Sequence, residues 1–97
     1  SMEEKVLPIY LLFGWADHAN MRTAIMLAQP YLATHRAVAG FNLQEAMRAA
    51  RVIIVGGEEA VSADDERALR EAGCVVDRLA GDLYAIERAL KEIADTV

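Results

Sequence analysis

The sequence predicts an α/β fold: a three-layer α/β/α sandwich with a four-stranded parallel sheet, flavodoxin/Rossmann-like, in strand order 2-1-3-4. Three observations predict it. The run Val52-Ile53-Ile54-Val55 is continuously apolar and β-branched, as suits a strand covered on both faces. Gly56-Gly57 ends that run, a helix pattern follows, and Cys74-Val75-Val76 opens another strand, which together make a right-handed crossover unit. The whole chain alternates strand and helix patterns in this way, four times over.

Val6 to Phe13 is the first strand, with Pro8 at its beginning or at a bulge because proline cannot donate to a ladder. Gly14-Trp15-Ala16-Asp17 is the turn, and Asp17 is a plausible N-cap. From His18 to about Gln29 the pattern is helical. Met21, Ala24, Ile25, Ala28 and Leu32 form one stripe, while Leu27, Met26 and Tyr31 widen the apolar face beyond what one sheet contact needs. Pro30 kinks or restarts this helix. Residues 36–41 are the second strand, weak enough in composition to belong at an edge.

Asn42 and Glu45 have capping-box spacing, so Asn42 should accept from first-turn amides while Glu45 reaches back. Leu43, Ala46, Met47 and Ala50 are expected to face inward, with Arg48 and Arg51 at the negative helix end. After the Val52–Val55 strand, Ser62 caps a helix with Asp64 and Asp65 in its first turn and Gly73 as its left-handed C′ residue. Asp82 is placed to cap a last helix from Leu83 to about Thr96, whose exposed side pairs Glu87 with Lys91.

The 97 residues make a single domain, with residues 1–4 as a disordered tail and Ser before Met as an expression remnant. A formal charge of −5 and a pI near 4.9 disfavour binding to a phosphate backbone, so nucleic acid is not an expected partner. One cysteine precludes an internal disulfide and a cysteine metal cluster. Cys74, at the start of a buried strand, reads as a packed small hydrophobe. No apolar run approaches the roughly 20 residues of a membrane span. The acidic first residues do not read as a signal peptide, which leaves both a secreted and a cytoplasmic location open.

In a doubly wound sheet, ligands bind beyond the carboxyl ends of the strands where strand order reverses. With order 2-1-3-4 the rim is Gly14, Trp15, Asp17, His18 and Asn20 on one side, and Gly56, Gly57, Glu58 and Glu59 on the other. Helix amino ends there could hold an anion, but the rim carries carboxylates and no nearby Lys or Arg. Gly56-Gly57 lacks the residues of a phosphate loop and reads as a tight turn. Asp17, His18 and Asn20 read either as a capped, solvated helix start or as an acid-base or metal cluster, and Trp15 either stacks on a sugar or covers core or a subunit contact. No catalytic triad, metal set or cofactor motif is recognisable, so neither catalysis nor a cofactor is expected.

The string Val52-Ile53-Ile54-Val55-Gly56-Gly57, then Ala60-Val61-Ser62, Glu66, Leu69, Gly73, Val76 and Arg78-Leu79-Ala80-Gly81-Asp82 with Tyr84-Ala85, resembles the cell-wall-binding repeat, type 2. The match covers about a third of the chain strongly, and Leu83 stands where the family shows arginine. The resemblance implies a non-catalytic binding module that tethers a protein to envelope polymers, in the cell envelope or outside the cell. Family modules generally come three in tandem, so a lone copy is expected to form a homotrimer. Anionic polymers would need a local basic patch, for instance around Arg36, Arg48, Arg51, Arg67, Arg70, Arg78 and Arg88. The alternatives are an oligomerisation or protein-interaction module without polymer binding, and a small-ligand sensor at the switch point between strands one and three.

Overall fold

The computed structural model describes residues 5–14, 26, 29–30, 32–33, 36–80, 88 and 91. Four parallel strands, β1 (Leu7–Phe13), β2 (Val38–Gly40), β3 (Ala49–Val55) and β4 (Val75–Leu79), form one sheet in the order β2-β1-β3-β4. Helix α1 (Leu43–Ala46) connects β2 to β3, and α2 (Ala63–Glu71) connects β3 to β4. The architecture is the expected doubly wound α/β fold, with the weak strand β2 at an edge. The helices expected over 18–29 and 83–96, Asp17, Gly81, Asp82 and Leu83 lie outside the described residues, apart from helical backbone at Met26, Gln29, Arg88 and Lys91.

Over their carboxyl-terminal halves, Tyr10 to Phe13 and Val52 to Val55, both faces of the two central strands are out of solvent. Tyr10, Leu12, Val52 and Ile54 join Ala46, Leu69 and Val76 in one cluster under α1 and α2, while Leu11, Phe13, Ile53 and Val55 are buried on the opposite face. That is why these strands read as unbroken apolar runs. Leu69, fully buried on α2, is the side chain whose truncation would open the largest hole beneath that helix, at a cost of about 2–5 kcal/mol. Pro8 is tolerated in a central strand for a local reason. Leu7 donates to Arg48 O on the β3 side, so the nitrogen of Pro8 faces the other way, where β2 begins only opposite Tyr10.

The region between β2 and β3 differs from expectation. Helix α1 is a single turn, and Ala50 and Arg51 belong to β3 rather than to its end; Ala50 is exposed, and Arg51 pairs with Asp77 of β4 (2.6 Å). Pairing of Ala49 with Leu7 and of Arg51 with Ile9 extends the ladder by three residues, and each residue of ladder replaces a backbone bond that a longer helix would have made. The capping box is also modified. Asn42 Oδ1 accepts from Glu45 N as expected (3.1 Å), but the Glu45 carboxylate does not reach the Asn42 amide. Tyr10 stands between them: its hydroxyl donates to Glu45 Oε1 (3.0 Å) and accepts from Asn42 N (3.3 Å). The tyrosine is fully buried, and that burial, with Glu45 adding to it against the opposing Asn42 bond, raises its pKa above the ordinary 10.0.

Helix α2 carries its caps as the sequence indicates. Ser62 Oγ accepts from Asp65 N, Cys74 N donates to Leu69 O, and Gly73 N donates to Arg70 O with Gly73 at φ 94°. At the amino edge of the sheet, the Lys5 ammonium donates to Met47 O (2.6 Å) and Ala72 O (2.8 Å), the terminal carbonyls of α1 and α2, where helix dipoles favour a cation. Cys74 is buried beside it, its thiol directed at Ala46 O and Met47 O.

Candidate functional site

At the carboxyl edge β1 and β3 both run into glycine. Gly56 has φ 126°, a conformation that disfavours any side chain, and it lets the chain turn sharply out of the sheet. Its N–H donates to Leu79 O (2.8 Å), and Ala60 N and Val61 N both donate to Gly57 O (3.0 and 3.2 Å) before Ser62 starts α2. Gly14 lies directly against this turn. A Cβ at Gly14 would overlap the Ala60 carbonyl, so only glycine allows the exit of β1 to pack there.

Arg78, from the β4 edge, fixes the turn. Its Nε donates to Glu66 Oε1 (2.8 Å), Nη1 to Gly56 O (3.0 Å) and Nη2 to Val61 O (2.8 Å). Glu66 also accepts from Arg70 (2.9 Å), and the bonds from Arg70 and then Arg78 hold its carboxyl below the usual carboxylate range. The expectation of a rim without a nearby cation is therefore corrected. The guanidinium is present, but its side chain is only 16% exposed and its donors are occupied by the loop.

Beside the turn is an open cleft of about 460 Å³. Leu12, Phe13 and Gly14 of the β1 end line it on one side, Phe41 and Leu43 at the start of α1 on another, and Ala60, Val61 and Asp65 at the start of α2 on the third. Asp65 is the one polar side chain among its lining residues. Of the three acids in the first turn of α2, Asp64 pairs with Arg67 and Glu66 with Arg70 and Arg78, whereas Asp65 has no ion-pair partner among the described residues.

Of the residues expected at the switch point, Gly14 lines the cleft, while Gly56 and Gly57 shape the turn beside it. Glu58 and Glu59 are exposed on that turn. Trp15, Asp17, His18 and Asn20 lie outside the described residues. Phe41, Leu43 and Asp65 were not among the expected site residues, and Arg78 was expected only as part of a basic patch. The signal for Phe41 and Leu43 was the strand order itself: β2 neighbours β1, so the β2–α1 connection opens onto the same rim. Nothing local marks Arg78 as a loop anchor, because its partners lie 12 to 22 residues earlier. Compared with protein-family models, with curated proteins and with solved structures, the chain has no match.

Proposed function

We propose that the chain is a non-catalytic binding module of the cell-wall-binding-repeat kind, working at the cell envelope or outside the cell as a homotrimer, and that it meets its polymer through uncharged contacts. One observation carries the reading: the residues that bear the resemblance hold one another. Arg78 of the closing segment bonds the Gly-Gly turn at Gly56, the Val-Ser helix start at Val61, and Glu66 inside the helix. The motif is thus a self-consistent latch, as expected of a module whose signature preserves a fold rather than a reaction.

The uncharged contact follows from the state of the arginines. Arg51, Arg67, Arg70 and Arg78 each pair with a carboxylate, which removes most of the basic patch that a polyanion would need, and the chain as a whole carries −5. Co-sedimentation with purified cell walls tests this. Retention should be equal at low and high salt, and absence from the pellet at both salts would refute the reading. The second reading, an oligomerisation or protein-interaction module, is favoured by exposed apolar side chains at both sheet edges, Val38 and Val75. Light scattering that finds a stable trimer with no wall affinity would select it.

A further inference from the structure

We propose that the cleft between β1, α1 and α2 binds a small amphipathic cation, its apolar body against Leu12, Leu43 and Val61 and its ammonium on Asp65. This goes beyond attachment to a polymer and does not depend on it. The volume, about 460 Å³, lies within the range of small-molecule sites, and such sites are mostly apolar with few polar groups that fix orientation. Here the polar side chain of the lining is a carboxylate, half-buried and without an ion-pair partner among the described residues.

Charge decides the class of ligand. The amino end of α2 presents the equivalent of about half a positive charge, which the full negative charge of Asp65 outweighs. Glu58 and Glu59 on the adjoining turn add to the negative field, and Arg78 is turned to the loop carbonyls and Glu66. An anion would be repelled, and a neutral molecule would offer the carboxylate no counter-charge. An ammonium donates to it directly, in a charge-assisted bond that apolar walls strengthen.

The test is titration of the whole chain with 2-phenylethylammonium, followed by calorimetry and by amide shifts, with 2-phenylethanol and phenylacetate as neutral and anionic analogues. The ammonium should bind saturably and shift the amides of Phe13, Gly14, Leu43 and Val61, and phenylacetate should not bind. Asp65→Asn should weaken the ammonium by about tenfold. Asp64→Asn, on the same helical turn but paired with Arg67, should bind as the parent does. Equal binding of all three probes, undiminished binding by Asp65→Asn, or no saturable ammonium binding up to about 10 mM would each overturn the proposal. Loss of ammonium binding with wall retention intact would refute this inference alone.

Discussion

Replacing Arg78 by alanine should be among the most damaging substitutions outside the apolar core. The guanidinium makes three good bonds, to Gly56 O, Val61 O and Glu66, and its removal leaves two loop carbonyls without that donor and one carboxylate with Arg70 alone. Hydrogen bonds involving a charged group contribute about 1.5–3 kcal/mol each. Glu66 keeps Arg70, and water can reach a loop once it loosens, so only the two carbonyl bonds count, each at the lower end, and the loss should be about 3 kcal/mol. For a domain of this size that corresponds to a fall in Tm of roughly 12–20 °C. Urea and thermal denaturation followed by circular dichroism would measure it. Arg78→Lys should recover less than half of the loss, because one ammonium cannot serve a backbone carbonyl on each side and the carboxylate with the planar fork of arginine. A loss below about 1 kcal/mol for Arg78→Ala would show that the turn holds without the latch, and the argument for a self-consistent motif would go with it.

Other perturbations probe the remaining features. Gly14→Ala should cost about 2 kcal/mol or more in denaturant titrations, because the new Cβ meets the Ala60 backbone, which cannot step aside as a side chain could. Tyr10→Phe should destabilise by about 1–2 kcal/mol, leaving the Asn42 amide without its acceptor and Glu45 without its donor. With its pKa raised in the folded state, Tyr10 contributes stability that is full below pH 10.0 and is lost as pH rises through the raised value, so Tyr10→Phe should flatten the alkaline limb of a Tm–pH profile. Glu66 acts in the opposite sense. Its lowered pKa gives stability that is full above the ordinary carboxylate value of 4.5 and is lost as pH falls through the lowered one, and Glu66→Gln should reduce the acid-side slope.

The parts of the fold legible in the sequence were those that local chemistry encodes. The four buried residues from Val52 to Val55 announced a doubly covered strand, and Ser62 and Gly73 marked the two ends of α2 within one residue. Strand order followed because short crossovers of one hand leave few arrangements. What was not legible depends on contacts between distant segments. Ala49 to Arg51 carry helix-compatible residues and become strand because Leu7 to Ile9 offer a ladder. Glu45 had the spacing of a capping box, and a tyrosine 35 residues away intervened. Of the candidate site, Gly14 and the glycine turn were readable as chain reversals, whereas the cleft walls at Phe41, Leu43 and Asp65 are assembled only when three loops meet.

The place of β1 in the sheet bears on how the chain acquires its structure during synthesis. Tyr10 to Phe13, fully apolar apart from one hydroxyl, leave the ribosome before β3, and their main partners on that strand are made about forty residues later. Among the described residues no hairpin shelters them in the interval, because each strand pair there is parallel and its strands are far apart in the chain. Closing so long a loop slows assembly, and the interval is one in which a holding chaperone would find its substrate in the segment from Ile9 to Phe13.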